Sequence, residues 1–128
     1  MSIQAMNHFT VLTQDLDATK SFYVGLLGFT DGPRPAFDFP GAWLYIGDQA
    51  VLHIVAGRTV PDPPAGVIDH VALIASNLSE TVARLKTHKI DYELRRLPGR
   101  GAWQLFFHDP NGAKVELDFS ADEAAPAG

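Results

Sequence analysis

The chain has 128 residues and no cysteine, which excludes disulfide staples, thiolate metal sites and a cysteine nucleophile. A formal charge of -5, from 10 basic and 15 acidic residues with no basic cluster, argues against a nucleic-acid groove or an anionic membrane surface as partner. No apolar run approaches the roughly 20 residues that span a bilayer, and Met1–Gln4 lacks the regions of a signal peptide, so a soluble cytoplasmic protein is expected.

From the N-terminus, His8 to Leu12 alternates as a strand does, with Phe9 and Val11 on the more apolar side. A helix should follow, capped by Asp15 or Asp17, striped by Leu16, Phe22, Tyr23, Leu26 and Leu27, and ended by Gly28. The stretch from Gly32 to Gly41 holds too many prolines and glycines for regular structure and reads as a loop. Two strands, Trp43–Ile46 and Val51–Val55, are joined by a turn at Gly47-Asp48-Gln49. Arg58 to Gly66, with three prolines, reads as a linker. A strand from Ile68 to Ala75 then leads into a helix from about Leu78 to His88, capped near Asn77 or Ser79. Short strands are expected around Tyr92–Arg95 and Ala102–Phe107, then an Asp109-Pro110-Asn111-Gly112 turn and a closing strand Lys114–Phe119. The expected organisation is one domain over 1–120, with a module at about 3–57, a second at about 67–119, and a disordered tail at 121–128.

The two modules repeat each other. Asn7-His8-Phe9-Thr10-Val11-Leu12 is echoed 62 residues later by Asp69-His70-Val71-Ala72-Leu73-Ile74, and Gly41-Ala42-Trp43 is echoed 60 residues later by Gly101-Ala102-Trp103. Each module closes on an apolar run interrupted by one metal-capable side chain, His53 in the first and Glu116 in the second. His8 to His53 is 45 residues and His70 to Glu116 is 46. Equivalent residues of a duplicated unit can converge on one point, and three imidazoles with a carboxylate are ordinary ligands of a divalent metal. Strand parity puts Glu116 with Lys114 and Asp118, opposite the apolar Val115, Leu117 and Phe119. A lone histidine in an apolar strand is commonly a hydrogen-bonded core residue; four such residues at equivalent positions favour a metal site. His88, near a helix end, and His108, before a turn, read as surface residues.

Asn7-His8, the run Asp15–Tyr23 into Leu26-Leu27-Gly28-Phe29, Ile68–Ala72, Phe106–Gly112 and Val115-Glu116-Leu117 together resemble the vicinal oxygen chelate superfamily of glyoxalase I, bleomycin resistance proteins and extradiol dioxygenases. The resemblance runs roughly from Ile3 to Phe119. It implies an α+β fold of two tandem βαβββ modules forming a cupped, incomplete barrel around a divalent metal (Fe, Ni, Zn, Mn or Co). It carries His8, His70 and Glu116 over as ligands, with His53 in the fourth position. There glyoxalase I enzymes have glutamate and the epimerases glutamine. It further implies a homodimer acting on a small molecule whose two adjacent oxygens chelate the metal. A metal-dependent isomerase or lyase of glyoxalase type is the leading expectation, with Glu116 as ligand and catalytic base. Trp43, Tyr45, Trp103 and Gln104 would line the substrate pocket. The alternatives are an Fe(II) ring-cleaving dioxygenase, using Tyr45 or Tyr92 as its tyrosine, and a non-catalytic protein that sequesters a small molecule such as an antibiotic.

Overall fold

The computed structural model describes residues 2–127; Met1 and Gly128, at the ends of the expected domain and tail, lie outside the described residues. The chain divides into two compact units, Met1–Pro64 and Ala65–Gly128. The first runs β1 (Phe9–Thr13), α1 (Leu16–Lys20) with a π-helical continuation (Ser21–Leu26), β2 (Thr30–Gly32), β3 (Gly41–Ile46) and β4 (Gln49–Ala56). The second runs β5 (Val71–Ile74), α2 (Leu78–Thr87), β6 (Tyr92–Arg96), β7 (Trp103–His108) and β8 (Lys114–Phe119). The α+β class and the twice-repeated βαβββ plan are those expected from the sequence. Sheet orders are β1-β4-β3-β2 and β5-β8-β7-β6. In each sheet the first strand lies parallel to the last, and the remaining pairs are antiparallel.

Alternation gives each sheet one dry face and one wetter face. In the first unit Val11, Thr13, Ala42, Leu44, Leu52, Ile54 and Ala56 are buried, as are Phe22, Tyr23, Leu26 and Phe29 of the helical segment and its exit. Asp15 caps α1 by accepting the Ala18 N–H at 3.0 Å. The π-helical continuation was not expected. There the Leu27 N–H reaches back to the Phe22 carbonyl, and the wider turn lets the consecutive Phe22 and Tyr23 both be buried. In the second unit Leu78, Val82 and Leu85 of α2 are buried, together with Leu105, Phe107, Val115, Leu117 and Phe119.

Several strand ends differ from expectation by a residue or two, as where β3 begins at Gly41 and β4 spans Gln49–Ala56, and the largest shift is in β5. β5 begins at Val71 rather than Ile68, because its partner β8 first meets it at Val115. The start of α2 is also capped differently. Asn77 stands at φ 67 and its side chain makes no cap. The Glu123 carboxylate does so instead, accepting the N–H groups of Asn77 at 3.2 Å and Leu78 at 2.7 Å. The segment expected to be a disordered tail is thus tied back to its unit. Glu123 O also accepts the Trp103 indole N–H at 2.9 Å, and Ala121 O accepts Arg96 Nη2 at 2.8 Å. Glu123→Ala should cost about 1 kcal/mol, the usual worth of an N-terminal cap. Thermal unfolding would show it as a lowered Tm, and an unchanged Tm would refute the cap.

Candidate metal centre

Each unit brings its own pair of expected ligands together on the wetter face of its sheet. In the first unit Thr10 of β1 pairs with His53 of β4, which pairs with Trp43 of β3. His8, two residues before Thr10, lies on that same face beside His53. Their rings stack at 3.7 Å between centroids, 15° from parallel. His53 stacks in turn on Trp43 at 4.0 Å and 7°. Burial first, and then the neighbouring charge of His8, lower the His53 pKa, which favours the neutral imidazole a metal needs.

In the second unit His70 Nε2 lies 3.1 Å from Glu116 Oε1. Glu116 is buried, 6% exposed, and its Oε2 accepts Gln104 Nε2 at 3.4 Å. Ligands held roughly 2.0–2.2 Å from one metal ion stand about 3 Å apart, so this spacing fits two donors of a common cation. Within neither unit, among the described residues, do three or more His, Asp or Glu side chains gather as a complete metal cage.

The leading histidines are oriented in the same way. His8 Nδ1 is 2.8 Å from Asn7 Oδ1, and His70 Nδ1 is 2.8 Å from Asp69 Oδ2. Both acceptors are oxygens, so Nδ1 carries the proton and Nε2 is the nitrogen left to act as a ligand. His70 and Lys114 hold the Asp69 carboxyl below its ordinary pKa, the His70 hydrogen bond contributing most. With Nδ1–H committed to Asp69, a neutral His70 turns its Nε2 lone pair toward the Glu116 carboxylate. That contact is repulsive unless a proton or a metal cation lies between them. The His70–Glu116 pair therefore suits a divalent ion.

Asp118 shares this face with Glu116. Burial, then the hydrogen bond to Glu116 and its negative charge, push the Asp118 carboxyl up to about 6, and its Oδ1 is buried with no partner among the described residues. An acid whose pKa is raised on folding keeps its proton where the unfolded chain has lost it. Stability of the metal-free protein should therefore fall as pH rises from 3.8 to about 6. Asp118→Asn should flatten that fall; a slope unchanged in the variant would show that another group causes it.

The four residues expected to line a pocket are placed differently from one another. Trp43 stands on the His53 face, and Gln104 touches Glu116. Tyr45, past a bulge after Leu44, donates its hydroxyl to Pro33 O at 2.5 Å. Its ring crosses Gly32, where an added Cβ would come within 2.6 Å of it. Trp103 does not share the Glu116 face. It pairs with Phe119 and Arg96, and Arg96 covers its ring at 4.4 Å. The residue that pairs with Glu116 as Trp43 pairs with His53 is Phe106. Trp43 to Phe106 is 63 residues, and so is His53 to Glu116, whereas the Gly-Ala-Trp echo is offset by 60. The odd difference of three flips the side chain to the other face. His88 Nδ1 bonds Arg84 O at 2.8 Å at the end of α2, and His108 is exposed, in keeping with surface roles.

Residues 5–117 match the model of the Glyoxalase/Bleomycin resistance protein/Dioxygenase superfamily, and the chain belongs to that superfamily. It is 29% identical over 126 residues to "Glyoxylase I 4" of Arabidopsis thaliana, covering 91% of this chain and 71% of that protein. A glyoxalase family protein from Enterococcus faecalis has a similar structure, with TM-score 0.68, 29% identity, and coverage of 92% of this chain and 99% of that one. The fosfomycin resistance protein FosX of Listeria monocytogenes shares the fold, with TM-score 0.74, 17% identity and 91% of each chain covered. Among the described residues no helix is long and apolar enough to cross a membrane.

Proposed function

We propose that this chain is a metal-dependent enzyme of glyoxalase type, an isomerase or lyase. In this reading His8, His53, His70 and Glu116 hold one divalent ion, drawn from Fe, Ni, Zn, Mn or Co. The carrying observation is the matched orientation of His8 and His70, each held through Nδ1 by the side chain before it. Bound there, the metal would act as a Lewis acid toward two adjacent oxygens of a small substrate. Glu116, a ligand with Gln104 steadying its second oxygen, is the group placed to take a proton from a carbon beside those oxygens. The Asp118 carboxyl shares the face and adds a second acid–base group to it. Trp43 supplies apolar wall beside His53.

The ring-cleaving alternative draws no support from its tyrosines. Tyr45 spends its hydroxyl on Pro33 O, and Tyr92 pairs with Phe107 on the face opposite Glu116. A homodimer belongs to the same proposal. Ile3, Met6, Val67, Ile68 and Ile74, on or before the edge strands β1 and β5, are exposed apolar residues that a second copy would cover.

The test loads the protein separately with each metal in D2O and offers small 2-hydroxyketones, hemithioacetals of 2-oxoaldehydes, and catechols. The expected result is metal-dependent exchange of the substrate C–H, lost in Glu116→Gln, without oxygen uptake. Oxygen uptake with Fe(II) and a catechol would establish the dioxygenase instead. Tight binding without exchange or turnover would leave a sequestering protein.

A further inference from the structure

The loop between β2 and β3 displays two aromatic rings to solvent. Phe37 and Phe39 are 43% and 37% exposed, yet they stack on each other at 4.9 Å and 19°. The Arg34 guanidinium carbon lies 5.1 Å from each ring centroid. The loop around them is braced. Arg34 Nη2 donates to Phe39 O at 3.0 Å, Tyr45 holds Pro33 O, the Phe37 N–H meets Pro35 O at 2.8 Å, and the Ala56 N–H meets Pro40 O at 2.9 Å. A solvated loop that spends its hydrogen bonds on fixing two outward phenyl rings is built as a surface rather than as a connection.

That surface continues into the face carrying the ligand pair. Phe37 lies 6.4 Å from Trp43 with their planes at 51°, so the two rings form a corner. Trp43 stacks on His53, and His53 on His8. An unbroken run of rings leads from Phe39 through Phe37, Trp43 and His53 to His8. A flat, apolar group on a substrate whose oxygens sit at the histidines would extend along Trp43 into this corner.

We propose that Phe37 and Phe39, with Trp43, form an aryl subsite, and that the substrate carries an aromatic ring next to its vicinal oxygens. Tyr45 and Arg34 are positioning residues for that wall, through Pro33 O and Phe39 O. The inference rests on the metal-dependent reading above and names the kind of substrate that site takes.

Two metal-chelating probes differing in one group test it: benzohydroxamate and acetohydroxamate, titrated into the metal-loaded full chain. The native protein should favour the aryl probe. In a Phe37→Ala/Phe39→Ala double variant that preference should fall roughly tenfold, the scale of lost aromatic stacking and its buried area. Metal content and acetohydroxamate affinity should hold, which a general loss of structure would not allow. Equal affinity of the native protein for the two probes would overturn the subsite while leaving the metal reading in place. So would an aryl preference that survives in the double variant; if that variant also shifts from dimer to monomer, the rings serve contact between copies. Failure of the metal-loaded protein to bind either hydroxamate would overturn the metal reading itself, and the subsite with it.

Discussion

Glu116→Ala is expected to lower divalent-metal affinity by more than about 100-fold, beyond what loss of a supporting residue around a metal site costs. Glu116 is the carboxylate of the proposed set, it is buried, and it lies 3.1 Å from His70 Nε2. Its removal should leave the metal-free protein folded. Asp118 is held near 6 partly by the hydrogen bond to Glu116 and by its charge, so deleting Glu116 relieves one crowded carboxyl pair. Competition against a chromophoric chelator measures the first effect and thermal unfolding the second. Affinity within about twofold of native would remove Glu116 from the ligand set.

Asn7→Ala and Asp69→Ala should each weaken metal binding by roughly 10- to 100-fold, the usual effect of removing the partner of a ligating histidine. Neither residue would touch the ion. Each fixes an imidazole through Nδ1 at 2.8 Å, choosing the tautomer that leaves Nε2 as the donor atom. Asp69→Asn keeps the acceptor oxygen and should recover most of the affinity. Equal weakening by Asp69→Ala and Asp69→Asn, seen in the same chelator competition, would mean that charge rather than orientation is what matters.

Much of this arrangement was legible in the chain because strand parity is a strong constraint. The echo of Asn7-His8 in Asp69-His70 marks the equivalent strands, and alternation places Glu116 on the wetter face, whereas the strand of His53 reads apolar on both faces. The same echo already held the supporting pair, Asn before one histidine and Asp before the other. What misled was the Gly-Ala-Trp repeat. Similar letters suggest equivalent positions, but the registers of hairpins β3–β4 and β7–β8 correspond at an offset of 63, so Phe106 and not Trp103 answers to Trp43. A slip of three residues within a strand cannot be seen without its partner's register. The loop Pro33–Pro40 was equally opaque. Its composition announced irregular backbone, while the stacking of Phe37 on Phe39 depends on bonds from Arg34 and Tyr45 that no periodicity encodes. Glu123 was missed for a related reason, since a cap supplied from 45 residues away leaves no local signature.

The measurement that bears most directly on the central proposal is metal stoichiometry by mass spectrometry on the native protein, beside His8→Ala and His70→Ala variants. One ion per chain, lost from either variant alone, is the expected result, because a single centre would draw ligands from both repeats. An ion retained when one repeat is disabled, or no ion in the native protein after loading, would contradict it.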